Sequence, residues 1–287
     1  MVHNGIEYGL IQLIAETYDL MKRGLGMTPE ELHRLYAGWN DAELSSFLLE
    51  ITARIFLKKD DKTGMPLIEV IRDEAKQKGT GMWTSWEAMD LQVATPTIDI
   101  AVVLRGLSGY KAERLAAAQV LSGPKLEFGG DKARFLEKLK NALFAGMIAT
   151  YAQGLALLKK ASATYGYGLD LETVTRIWRG GCIIRAALLE DIRAAFRTRP
   201  ALDNLLLDPK LGQEFMARQQ DLRDVVGVAA EQGLPAPALM MSLAYFDAYR
   251  SAQLPANLIQ AQRDYFGAHT YERLDGPGTF HSEWDED

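Results

Sequence analysis

His3, Asn4, Glu7 and Tyr8 fall at helical three- and four-residue spacings, so a helix beginning near residue 2 stacks an imidazole, an amide, a carboxylate and a phenol along one side. A polar helix end turned to water has the same pattern. The functional reading of such a cluster is a ligand-facing one, with four polar groups sharing one side of a helix start. Lys78-Gly79-Thr80-Gly81 adds a cation, a hydroxyl and small residues whose backbone can approach an anion closely. Arg105 closes an otherwise apolar run from Ile98 to Leu104, where a guanidinium must be solvated or paired. Arg263 and His269 stand six apart across a helix end.

These groups sit on elements that read as helices almost throughout. An apolar stripe runs through Ile6, Leu10, Leu13, Ile14, Thr17, Leu20 and Met21 and stops at Gly24 and Gly26. Thr28-Pro29 with Glu31 forms a capping box that opens the next helix. Further helices are expected over about 41–56, 67–77, 84–90, 96–106, 110–120, 131–165, 170–198, 210–232, 235–251 and 255–266, with residues 58–64 as a charged turn. Alternating strand patterns are nearly absent, so the fold class is all-α.

A weak repeat pairs Tyr8 with Tyr151 and Tyr36-Ala37-Gly38 with Trp178-Arg179-Gly180, about 142 positions on, as if two helical units shared one core. We divide the chain into a helical domain, residues 1–269, and an extended tail, residues 270–287. Tyr271, Phe280, His281 and Trp284 give that tail more aromatic surface than a disordered acidic segment carries.

The 287 residues have a formal charge of −6 and are 48% hydrophobic and 24% charged, without long blocks of like charge. No nucleic-acid or membrane surface is expected from this, and the cytoplasm is the expected location. Cys182 stands alone and there are four histidines, which leaves no intrachain disulfide and little material for a structural zinc site. No GxGxxG, HExxH, CxxC or nucleophile-elbow motif occurs.

The strings MVHNGIEYG, KGTGMWT, YAQG, WRGGCIIR, LPANLIQAQRDYFGAHTYER and FHSEW occur in that order. Together they identify a resemblance to 6-phosphogluconate dehydrogenase that extends over the whole chain. The resemblance implies an enzyme that oxidises 6-phosphogluconate at C3 with NADP or NAD, releases carbon dioxide from the 3-keto acid and reprotonates the enediol to ribulose 5-phosphate. The keto group is the electron sink, so no metal is implied. Glu7 matches the family's acid, and His3, Asn4 and Tyr8 match substrate-binding positions of the same motif. Lys78, Thr80 and Arg105 match phosphate-side positions, while Arg263 and His269 match residues that a partner subunit donates.

A homodimer with shared sites, whose tails pack on the neighbouring subunit, is implied as well. Met82 stands where the family's GTGKWT string has lysine. In the family a lysine base immediately precedes the string that opens here at Met1, and the nucleotide-binding domain is also upstream. The expectation is therefore that the chain alone binds no NADP or NAD and does not turn over. The other reading is a noncatalytic helical dimer that binds a sugar phosphate.

Overall fold

The computed structural model describes residues 1–284, which hold twelve α-helices and one two-stranded hairpin. Two compact units are present, Met1–Tyr245 and a second beginning at Phe246.

The first unit is organised by two helices, α1 (Val2–Asp19) and the 34-residue α7 (Lys132–Tyr165). α7 is long and apolar enough to span a membrane, but 83% of its most apolar window is buried inside the fold, as a core helix requires. Its approach to α1 depends on small residues one turn apart. A Cβ on Gly146 would lie 2.8 Å from the Leu13 side chain, one on Gly154 2.4 Å from Ile6, and one on Gly9 of α1 2.6 Å from Thr150. Ile6, Leu13 and Thr150 are fully buried in that seam. α1 runs on into a π-helical turn, Leu20–Gly24, and α10 (Pro209–Glu231) packs on another side of α7.

α2 (Pro29–Asn40) opens with the expected capping box: the Thr28 side chain accepts from Glu31 N, and Glu31 accepts from Thr28 N. The stretch expected as one helix over 41–56 is shorter, α3 (Phe47–Ile55), because Ser46 caps it and Asp41–Leu44 forms a turn. The helix expected over 170–198 is two, α8 (Leu171–Gly181) and α9 (Leu188–Thr198). Gly180-Gly181 ends the first, and Cys182 turns extended.

Tertiary pairing accounts for both departures. Ser46 and Ala186 form an antiparallel bridge, with Phe47 N donating to Arg185 O at 3.1 Å and Ala187 N to Ser45 O at 2.8 Å. The two bridged connections are those between α2 and α3 and between α8 and α9. Each extended connection satisfies its backbone through the other.

Residues 67–77 also depart from expectation. Only Leu67–Glu69 is helical, as a 3-10 turn, and the remainder is held by side chains of other elements. Lys111 and Arg114 of α6 (Lys111–Val120) pair with Asp73, and Ser108 of α5 (Pro96–Ser108) accepts from Ala75 N. α4 starts at Thr80, four residues earlier than the sequence suggests, and runs to Asp90. α11 (Pro237–Tyr249) follows α10. Its first free amides, Ala238 N and Leu239 N, donate to the two carboxylate oxygens of Glu16 on α1 at 2.8 and 2.9 Å.

The second unit contains α12 (Ala256–Gly267) and the hairpin β1 (Tyr271–Glu272) with β2 (Thr279–Phe280), in register Tyr271 to Phe280. The expected extended tail, residues 270–287, thus folds back on itself as a hairpin over 271–280, and its residues 285–287 lie outside the described residues.

Candidate active site

α1 starts at Val2, so His3, Asn4, Glu7 and Tyr8 all stand on its first two turns. Asn4 Nδ2 donates to Glu7 Oε2 at 3.1 Å, which fixes the carboxylate beside the amide. His3 is half-buried, and its pKa is lowered by that burial, against the opposite pull of Glu7. At near-neutral pH this favours the uncharged imidazole, a group able both to donate and to accept.

Tyr8 is the pivot. Its ring is 5% exposed, and the Arg105 guanidinium carbon lies 3.3 Å from the ring centroid, stacked over it. Burial pushes the Arg105 pKa down, while Tyr8 and Glu7 push it back up. The cation is therefore partly stripped of water and held against an aromatic face, in a state primed to meet an anion.

Arg105 is placed from the other end of α5. Thr97 N donates to Gln153 Oε1 at 3.0 Å, Gln153 Nε2 donates to Thr97 Oγ1 at 2.9 Å, and Thr97 Oγ1 pairs with Ser242 Oγ at 3.0 Å. This buried triad pins the first turn of α5 to α7 and α11, and Arg105 follows eight residues on, roughly 12 Å along the helix.

The Tyr8 ring also leaves no room for a side chain at Gly81. A Cβ on Gly81 would lie 2.4 Å from ring carbons of Tyr8, and one on Gly5 would lie 2.4 Å from Thr84. α4 and α1 therefore cross at two glycines. Thr84 Oγ1 lies within hydrogen-bonding distance of both Met1 O (3.2 Å) and Thr80 O (3.0 Å), which joins the two helix starts. Gly79, at φ 105°, makes the left-handed turn into α4 that a residue with a Cβ would resist. Thr80 is half-buried at the first position of α4, and Lys78 is exposed just before it. Met82 is half-buried.

The first unit thus gathers His3, Asn4, Glu7, Tyr8, Thr80 and Arg105 around the starts of α1 and α4 and the end of α5, with Lys78 on the approach. Arg263 and His269 belong to the second unit, where both are exposed. There Arg263 Nη1 donates to Gln260 Oε1 at 3.2 Å, and Gln260 Nε2 donates to Thr270 O at 2.5 Å. A cavity of about 390 Å3 opens beside His269, lined also by Gln260, Thr270, Tyr271, Glu272 and Thr279.

Sequence reasoning took Gly81 as a small residue of an anion-approaching segment, whereas it lies inside α4 against Tyr8, and it did not single out Thr84 or Gln260. Thr84 and Gln260 gave no signal. No strand–glycine loop–helix unit of the kind that holds a dinucleotide pyrophosphate occurs among the described residues, so these residues do not fit a nicotinamide cofactor by that route.

One carboxylic acid with its amide partner, an imidazole, and a hydroxyl and cations near a helix start define an all-helical domain that carries proton-transferring groups beside groups able to meet an anion. Comparison with known proteins gives the family. The model of the 6-phosphogluconate dehydrogenase C-terminal domain matches residues 1–284, and the chain belongs to that family. It is 56% identical over 287 residues to a decarboxylating 6-phosphogluconate dehydrogenase of Synechococcus elongatus, covering 99% of this chain and 61% of the relative. It is 52% identical over 285 residues to an NADP(+)-dependent, decarboxylating 6-phosphogluconate dehydrogenase of Bacillus subtilis, with the same coverage of 99% and 61%.

A solved structure of Plasmodium falciparum 6-phosphogluconate dehydrogenase, described as apo, with NADP+ and with 6-phosphogluconate, superposes with a TM-score of 0.96 at 42% identity. That match covers 99% of this chain and 61% of the other. The chain therefore spans about three fifths of the length of these relatives.

Proposed function

We propose that this chain is the substrate-binding and dimerisation domain of an enzyme that oxidatively decarboxylates 6-phosphogluconate to ribulose 5-phosphate with NADP or NAD. The observation that carries the reading is the Asn4-oriented Glu7 carboxylate two turns or less from His3 and Tyr8, with Arg105 stacked on Tyr8. In this reading a nicotinamide, held by residues other than these, would supply the oxidation at C3.

Glu7 is the catalytic acid. Once carbon dioxide has left, the enediol needs a proton on carbon, and a carboxylic acid beside an amide that fixes its orientation delivers it along one direction. His3 and Asn4 hydrogen-bond the hydroxyls of the polyol. Lys78, Thr80 and Arg105 hold the phosphate, Thr80 at the first position of α4, where free backbone amides favour an anion. Arg263 and His269 reach the phosphate side of a partner's site, which makes the working unit a homodimer. The exposed Leu258, Ile259, Tyr265 and Phe266 on α12 support a surface meant to be covered, and the tail, residues 270–287, packs on the partner.

The family's lysine base and its nucleotide-binding residues are not among these 287, so the chain by itself binds no cofactor and does not turn over. A cytoplasmic location is proposed with the pathway chemistry. Calorimetry with 6-phosphogluconate tests the reading: the chain binds it, and Arg105→Ala weakens binding by about one to two powers of ten, the worth of one charge-assisted phosphate contact. Equal affinity for both proteins would remove Arg105 from the site. Sustained reduction of NADP or NAD by the chain alone would overturn the division of labour, and binding of sugar phosphates without preference for 6-phosphogluconate would favour the noncatalytic binder.

A further inference from the structure

Asp264 is fully buried near the end of α12, whose neighbouring residues Arg263 and Tyr265 are exposed. It follows Arg263 directly in sequence. Its main-chain oxygen accepts from Ala268 N at 2.9 Å, which closes the C-terminus of α12. Its side chain accepts four donors, two on each oxygen. Thr270 N (2.8 Å) and His281 Nδ1 (2.9 Å) meet Oδ1, and Ser282 N (3.1 Å) and Trp284 Nε1 (2.9 Å) meet Oδ2.

The turn these bonds hold is strained. Ala268 at φ 48° and Thr270 at φ 60° are both left-handed, and neither is glycine. Such residues persist only where the surroundings determine them. His269 sits between them, so its backbone direction is set by two conformations that Asp264 enforces, one through its main-chain oxygen and one through its carboxylate. The imidazole lies so close over Gly267 that a Cβ there would come within 2.9 Å of it, and it meets the Phe266 ring edge-on at 5.9 Å. Thr270 in turn fixes Gln260, whose side chain donates to Thr270 O and accepts from Arg263. Asp264 thus reaches His269 through the turn and Arg263 through Thr270 and Gln260.

We propose that Asp264 is the positioning residue for Arg263 and His269, and that the tail serves it: the hairpin returns His281, Ser282 and Trp284 to saturate the carboxylate. This rests on the reading of Arg263 and His269 as substrate ligands. The saturation is what makes the residue irreplaceable by its own amide. Asparagine offers one oxygen, so two of the four donors would face an N–H group and the turn would lose the bonds that offset its strain.

The test uses the whole chain and 6-phosphogluconate in calorimetry, with hydrogen exchange at the Thr270 and Ser282 amides read in parallel. Asp264→Asn is expected to weaken binding by about tenfold or more and to speed exchange at both amides, while α1 and α7 keep their protection. On a background of Arg263→Ala with His269→Ala it is expected to add little, because it acts through those two side chains. Trp284→Phe, which keeps a ring and removes one donor, gives a smaller loss in the same direction and stands in if Asp264→Asn does not fold.

Affinity within about twofold of the unaltered chain for Asp264→Asn, or a loss that adds in full to the Arg263 and His269 changes, overturns the positioning role. If the unaltered chain does not bind, or Arg263→Ala and His269→Ala bind as it does, the ligand reading fails, and the inference fails with it. Asp264→Asn is then not the variant that decided the matter.

Discussion

Replacing Gly81 with alanine should separate the fold from the site. The added Cβ would stand 2.4 Å from Tyr8 ring carbons, where ordinary carbon contacts begin at about 3.5 Å, so the ring must move by about 1 Å. The ring is buried and rigid and cannot swing aside as a flexible side chain would. Overpacking of this kind costs about 1–3 kcal/mol. Arg105, stacked at 3.3 Å on that ring, moves with it or loses its seat. A displacement near 1 Å in a preorganised site costs up to about a hundredfold.

Gly106→Ala is the matched control. It is also helical, adjoins Arg105, and a Cβ there meets nothing within 4 Å. Its expected effect is a gain of about 0.5–1 kcal/mol from helix propensity, with affinity unchanged. Denaturation and 6-phosphogluconate calorimetry on both variants give the comparison. Gly81→Ala with unaltered affinity would refute the placement of Tyr8 and Arg105 as a substrate-holding pair, and unaltered stability would refute the close crossing of α1 and α4.

Two further expectations concern protonation. Burial raises Glu16 from 4.5 to about 7 although Ala238 N, Leu239 N and Gln12 hydrogen-bond it, so its folded state prefers the proton; the associated stability is full below 4.5 and lost as pH rises through 7, about 3 kcal/mol in all. Glu16→Gln cannot titrate, so its stability relative to the unaltered chain should improve by about that amount between pH 4.5 and 8, as measured by urea denaturation; a pH-independent difference would show that the amide bonds outweigh burial.

In the tail, burial opposes ionisation of Asp264, but its hydrogen bonds from His281, Trp284, Ser282 and Thr270 hold the carboxyl down at about 2. His281 is raised above 6.5 by the same bond, with Asp264 and Glu283 as the charges facing it. The order these groups confer is therefore complete between about pH 3.8 and 6.5, lost toward pH 2 as Asp264 protonates and weakened as pH climbs through the raised His281 value. Ser282 amide exchange corrected for intrinsic rate should be slowest within that window, and a profile flat across neutral pH would remove the charged His281 from the latch.

The sequence alone determined most of what is local. Period-3.6 stripes and the Thr28 capping box name the helices, because a cap and an apolar stripe act within a few residues of themselves. The spacing of His3, Asn4, Glu7 and Tyr8 likewise predicted a shared helical side, since the helix carrying them follows from its own residues.

What it could not settle were segments whose partners are distant in the chain. Residues 67–77 have a helical pattern, yet their polar groups are met by Ser108, Lys111 and Arg114 instead of by each other. The break at Cys182–Ala187 is set by a bridge to Ser45–Phe47, some 140 residues away. Gly81 reads as a small residue ahead of a helix until Tyr8 is seen against it, and Asp264 reads as one more carboxylate until residues 270–284 bring four donors to it. Close approach and hydrogen-bond saturation are relations between distant parts of the chain, so only the tertiary structure could decide them.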